Sequence, residues 1–176
     1  MSERLDQLAS DLGRQLALHG LTLTTAESCT GGWVAKVVTD IAGSSGWFDR
    51  GFVTYGDRAK QDMLGVSPAT LDAHGAVSEA VVREMALGAL GRSRAQVALA
   101  ISGIAGPAGG SEDKPVGTVW FAWALPGPAE GREPRPLVWT QLLQFAGDRE
   151  EVRHQSVRVA LERLLELLPG PAQPGG

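Results

Sequence analysis

Cysteine is nearly absent. Cys29 is the only one in 176 residues, so no disulfide can close within the chain. Histidine is almost as scarce. His19, His74 and His154 are scattered, without metal-ligand spacing, so no metal and no other cofactor is expected. Positive charge is short: 16 Lys and Arg face 20 Asp and Glu, for a net charge of -4. No basic block stands out, which argues against nucleic acid as a partner but leaves room for a pocket that takes one phosphate. No apolar run reaches membrane-spanning length. The N-terminal Met1–Asp6 is charged and lacks a signal-peptide core. A cytoplasmic protein with no membrane partner is expected. Familiar catalytic signatures are missing too: there is no Gly-x-Ser-x-Gly elbow, no Walker loop and no Rossmann glycine spacing. Ser111-Glu112-Asp113-Lys114 spells Ser-x-x-Lys, but in a loop without a Lys-Thr-Gly partner.

What is present is an ordinary globular composition, 43% hydrophobic and 20% charged. A chain of this length buries about 70% of its unfolded surface as one domain. Leu5, Leu8, Ala9, Leu12 and Leu16 recur at helical spacing, with Ser2 as the N-cap and Gly20 as the stop. A strand is expected over 21–25. A helix follows with Trp33, Val34, Val37, Val38 and Ile41 on one face, ending at Gly43–Gly46. A second strand is expected over 51–55, then an Asp57 cap and a helix over 58–64 that carries Lys60. Pro68 suits the first position of a short helix. Ser78 caps another, with Val81, Val82, Met85, Ala86 and Ala89 inward. The apolar run 97–101 reads as a central strand covered on both faces. Strands over 117–125 and 137–145 follow each other without a helix and should pair antiparallel. Between them, 126–136 is rich in proline and glycine and reads as a surface loop. Asp148 caps a long final helix that Pro169 stops. Residues 1–168 form one domain, and 169–176 is expected to be a disordered tail.

Strand–helix alternation implies a parallel core with helices on both faces. Ligands bind outside the carboxyl ends of such strands. Three polar segments follow three expected strands there: Ser28–Gly32, Tyr55–Lys60 and Ser102–Gly110. Ser28, Tyr55, Lys60 and Ser102 would then share a pocket. Ser28 and Lys60 make a nucleophile–base pair only if the lysine is neutral. A surface Lys60 and a packed Tyr55 remain the plain alternative. Thr30, Gly31 and Gly32 stand at a strand-to-helix junction whose backbone amides suit an anion or an oxyanion. Helix capping by Ser28 or Thr30 is the plain alternative there. Cys29 reads as a small buried filler.

The segments Ala26–Gly32, Val53–Tyr55 with Lys60, Gly75–Ser78, Gly103–Pro107, Lys114–Val119, and Phe145 with Gly147–Arg149 resemble, in order, those of the CinA C-terminal domain family. The resemblance runs from about residue 5 to residue 167, and the family's enzymes include bacterial nicotinamide mononucleotide deamidases. It implies an α/β fold: a three-layer α/β/α sandwich around a mixed, mainly parallel sheet, with an antiparallel strand pair near the C-terminus. It also implies a stand-alone amidohydrolase that turns nicotinamide mononucleotide and water into nicotinate mononucleotide and ammonia. A nucleotide-sensing module without turnover is the alternative. Ser28 would be the nucleophile, with Lys60 and Tyr55 as its catalytic partners. Thr30, Gly31, Gly32, Ser102, Gly103 and Gly106 are candidate substrate contacts, and Arg149 could reach a phosphate. A homodimer or higher homo-oligomer is expected. Two departures from the family pattern stand out. Gly56-Asp57-Arg58 replaces a Ser-Asn-Glu-like run, with Asp57 favouring a charged Lys60 and Arg58 a neutral one. Ser102 stands where threonine is also frequent.

Overall fold

The structure, a computed structural model, describes residues 2–128 and 135–169. The expected tail from residue 170 on and the middle of the 126–136 loop lie outside the described residues.

Twelve short segments alternate as expected. They are α1 (Ser2–Leu18), β1 (Leu23–Glu27), α2 (Trp33–Thr39), a 3-10 turn (Ser44–Gly46), β2 (Phe48–Val53), α3 (Asp57–Leu64), α4 (Pro68–His74), α5 (Glu79–Gly91), β3 (Val97–Gly103), β4 (Thr118–Leu125), β5 (Leu137–Gln144) and α6 (Arg149–Leu167). The sheet runs β2-β1-β3-β4-β5. β1 pairs parallel with β2 and β3, and β4 pairs antiparallel with β3 and β5. The last two strands thus pair antiparallel, as expected.

Side-chain alternation along the central strands builds two unlike faces. On one, Val97, Leu99, Ile101, Val119, Phe121 and Trp123 meet the apolar faces of α1, α2 and α6. On the other, Ala98, Ala100, Ala122 and Ala124 meet Val81, Val82, Met85 and Ala86 of α5, with Leu64 of α3 beside them. Large residues fill the space under three helices, and alanines let α5 lie close to the sheet. The result is the α/β/α sandwich. Trp123 also donates its indole N–H to the Ala160 carbonyl at 3.0 Å, which ties α6 to the sheet.

β2 covers Phe48–Val53 and not 51–55, and two other element boundaries shift for a local reason. β1 starts at Leu23, not residue 21. Gly20 adopts a positive φ of 63°. The Gly20 amide then reaches the Ala17 carbonyl at 3.2 Å, and the Leu21 amide reaches Leu16 at 2.9 Å. This double closure of the helix end holds Leu21 with α1. α3 starts at Asp57 itself, with Gly56 as a cap that offers no side-chain bond. Asp57 is thus the first helical residue, its carboxylate near the positive end of the helix. The caps at Ser78 and Asp148 form as read. The Ser78 hydroxyl accepts from the Val81 amide, and Asp148 and Glu151 form a reciprocal capping box.

Register places the site. Glu27 lies opposite Val53 on β2 and Ile101 on β3. The three parallel strands end nearly level, so the loops after them leave the sheet along one edge.

Candidate active site

Ser28 is the first residue past β1. Its amide still belongs to the sheet and donates to the Ile101 carbonyl at 3.0 Å, while Thr54 donates to the Glu27 carbonyl at 2.8 Å. The chain then turns, with the Gly31 amide returning to the Ser28 carbonyl at 3.0 Å. Gly31 and Gly32 both take positive φ, 61° and 93°. That conformation is open to glycine and strained for most other residues.

Lys60 extends from α3 into the same corner. It is 1% exposed, and its Nζ lies 3.1 Å from Ser28 Oγ, 2.8 Å from the Thr54 carbonyl and 3.2 Å from the Tyr55 carbonyl. As an ammonium, Lys60 would donate to all three. As a neutral amine it donates to the two carbonyls, and the remaining tetrahedral position, the lone pair, faces the serine. Burial pushes the Lys60 pKa below its usual range, and the Asp57 carboxylate opposes that. Of the two neighbours weighed from sequence, Asp57 is thus the one that acts on the amine. Arg58 instead faces Asp62 at 3.7 Å.

Cys29 is buried and belongs to the hydrophobic cluster that includes Val34 and Val37. Burial pushes its thiol up to about 12, so little thiolate exists near neutrality.

Tyr55, expected as a catalytic partner of Ser28, meets Lys60 through its backbone. The ring is 59% exposed. Its backbone carbonyl, not its phenol, holds the lysine. The phenol oxygen accepts from the Arg149 guanidinium at 2.8 Å. Arg149 also donates to the Gly106 carbonyl at 2.7 Å. One arginine from α6 thereby joins the β2–α3 loop to the β3–β4 loop.

Ser102 is brought to the edge but turned inward. It is buried and donates to the Ala76 carbonyl at 2.8 Å, which fastens the segment before α5. Gly103 and Gly106 are required by close neighbours. A Cβ on Gly103 would lie 2.7 Å from the Val119 side chain, and one on Gly106 2.5 Å from Val116.

At the junction before α2, the first amides of the helix are occupied by the chain's own carboxylate. Buried Glu27 accepts from the Val34 amide at 2.9 Å and the Ala35 amide at 3.1 Å. Burial raises the Glu27 pKa on balance, against the Thr30 side chain and the amides of Val34, Ala35 and Gly32, which pull it down. Sequence reasoning gave Glu27 no role. The signal was a carboxylate as the last residue of a strand, directly before a serine and seven residues ahead of a helical apolar face.

Arg153 was also missed. Its Nε donates to the Cys29 carbonyl at 3.0 Å and its terminal nitrogen to the Thr30 carbonyl at 3.2 Å. The guanidinium carbon lies 5.3 Å from the Trp33 ring centre. One helical turn after Arg149 puts it on the same face of α6. A pocket of about 540 Å³ opens on this side of the loop, lined by Thr30, Gly31, Gly32, Trp33, Arg153 and His154 among others.

Among the described residues, no group of three or more His, Cys, Asp or Glu is placed to hold a metal ion. No helix there is long and apolar enough to cross a membrane.

Comparison with known proteins places nearly the whole chain among related proteins. The chain is 59% identical to a nicotinamide-nucleotide amidohydrolase, PncC, of Escherichia coli strain K12 over 160 residues, covering 91% of this chain and 92% of that one. It is 55% identical to the protein of the same description from Enterobacter agglomerans, over 94% of this chain and 96% of the relative. The crystal structure of the competence/damage inducible protein CihA from Agrobacterium tumefaciens superposes with a TM-score of 0.85 at 46% identity, covering 93% of this chain and 95% of the other. Residues 5–168 match the CinA C-terminal domain, and the chain belongs to that family.

Proposed function

We propose that the protein hydrolyses the carboxamide of nicotinamide mononucleotide, giving nicotinate mononucleotide and ammonia, with Ser28 as nucleophile and Lys60 as its base. The observation that carries this is the buried Lys60 amine 3.1 Å from Ser28 Oγ, in a chain 59% identical to a nicotinamide-nucleotide amidohydrolase.

The steps follow from the geometry. Ser28 Oγ attacks the carboxamide carbon as its proton passes to neutral Lys60. The carbonyl oxygen becomes an oxyanion, which backbone amides of the loop stabilise. The Lys60 ammonium returns the proton to the amide nitrogen, and ammonia leaves. An ester to Ser28 remains. Lys60, neutral again, takes a proton from water as it attacks the ester carbon. Nicotinate mononucleotide departs and Ser28 regains its proton. The Thr54 and Tyr55 carbonyls hold the lysine nitrogen against the serine in both protonation states.

Arg149 is the cation best placed to meet the phosphate of the nucleotide. Its partners, a carbonyl and a phenol, are neutral, so its positive charge has no counter-ion among them. Gly31 and Gly32 would sit beside the substrate as backbone without side chains.

Ammonia release from nicotinamide mononucleotide by purified protein is the test. Turnover that Ser28→Ala abolishes is expected. Tight nucleotide binding with no ammonia would leave a sensing module instead.

A further inference from the structure

The amides from Ser28 to Ala35 can be assigned one at a time. Ser28 donates to Ile101, Gly31 to Ser28 and Trp33 to Thr30. Val34, Ala35 and Gly32 serve the Glu27 carboxylate. The Cys29 amide turns to its own thiol, which leaves Thr30, whose amide donates to no backbone carbonyl among the described residues. The nucleophile's own amide, a frequent oxyanion donor in other serine enzymes, is held by the sheet.

The direction of the Thr30 amide follows from its peptide plane. In a trans peptide the carbonyl and the next N–H point opposite ways. The Cys29 carbonyl faces Arg153, and Arg153 belongs to α6, on the face of the sheet that holds α1 and α2. The Thr30 N–H of the same plane therefore points away from α6. Lys60 stands on that other side, on α3, whose Leu64 packs in the opposite layer. A guanidinium bonded to the carbonyl also polarises the plane and makes its N–H a stronger donor. Trp33 holds the guanidinium from the outer side.

We infer that the Thr30 amide is an oxyanion donor, and that Arg153 is the positioning residue that aims it across the loop toward Ser28. The inference rests on the amidase reading and names a group that reading leaves open.

The test is steady-state kinetics on nicotinamide mononucleotide for wild type, Arg153→Met and Arg153→Lys, each across pH. An aimed oxyanion donor acts in the transition state, so Arg153→Met should lower kcat by about 10–100-fold while KM stays within about threefold. The alkaline plateau and the pH limb assigned to Lys60 should keep their positions. Arg153→Lys, with one donor site in place of a fork, should fall between. Millimolar guanidinium should restore part of the rate to Arg153→Met and none to Ser28→Ala. An unchanged kcat in Arg153→Met overturns the proposal. So does a loss confined to KM, which would make Arg153 a ground-state contact, or a displaced pH limb, which would make it an electrostatic partner of Lys60. If Arg153→Met gives no cooperative melt, Trp33→Leu is read by the same criteria, because it frees the guanidinium and leaves its fork intact. Wild-type protein that releases no ammonia would sink the amidase reading itself, a result distinct from any of these.

Discussion

A buried amine that must be uncharged to act sets the behaviour of the site at the scale of residues. Lys60 accepts the Ser28 proton only above its own pKa, which burial lowers and Asp57 raises. The rate should therefore rise with pH through a limb lying below the usual lysine range, then level off. Asp57→Asn removes the opposing charge, so the limb should move to lower pH, and the shift should shrink with added salt because Asp57 is exposed. A limb that moves to higher pH would assign the titration to another group. Lys60→Arg keeps the charge but cannot deprotonate. It should be as inactive as Lys60→Met, and near-normal turnover by Lys60→Arg would make Lys60 a fixed cation. At the neighbouring positions, Ser28→Ala should lose nearly all turnover, while Cys29→Ala, a change in a buried filler, should retain most of it. The reverse pattern would pass the chemistry to the thiol. Ser28 and Lys60 were legible as a pair because each lies in a polar segment that follows an expected parallel strand. Tyr55 was legible as a site residue but not in its role, since sequence does not tell a backbone carbonyl contact from a phenol contact.

At the scale of elements, α2 depends on a carboxylate that precedes it. The helix is only seven residues long and starts after Gly32, which gives no side-chain cap. Glu27 supplies the missing acceptors from the end of β1. Glu27→Ala would leave the Val34 and Ala35 amides without partners in a buried place. Each such orphan costs about 1–3 kcal/mol, so urea unfolding should show a loss of roughly that size or somewhat more. Glu27→Gln keeps one acceptor oxygen but turns an N–H₂ toward an amide, so it should recover only part of the loss. A variant as stable as wild type would show that the α2 amides find water. The Ser78 and Asp148 caps were readable because the capping side chain directly precedes its helix. Glu27 was not readable, because its donors are seven and eight residues on, across a turn whose shape is set by Gly31 and Gly32. The β1 boundary moved for a similar reason: the closure of α1 at Gly20 outweighs the strand preference of Leu21 and Thr22.

Over the whole molecule, the order of the sheet brings the site together from distant sequence. Alternating strands and helices made the parallel core and the shared edge legible. The covering of that edge by α6 was not, because no pattern in the sequence says which loops a C-terminal helix will cross. The crossing matters for specificity. Arg149 bonds Tyr55, 94 residues earlier, and Gly106, so its cation stands over two of the three loops at once. With the α2 amides held by Glu27, we propose this arginine, and not the glycine junction, as the anchor for a 5′-phosphate. Binding energy from a remote phosphate can hold the reacting amide against Ser28. Wild type should then prefer nicotinamide mononucleotide strongly over nicotinamide riboside in kcat/KM, with free nicotinamide far behind. Arg149→Met should lower kcat/KM for the mononucleotide by about 10–100-fold, the range expected when a charged partner of a phosphate is lost. It should change the riboside value much less, so the preference collapses. Tyr55→Phe keeps the ring and removes only the oxygen that receives Arg149, and should cost the mononucleotide a smaller factor in the same direction. If Arg149→Met lowers both substrates equally, the arginine serves the loops and not the phosphate, and the anchor must be sought on the Arg153 side of the turn.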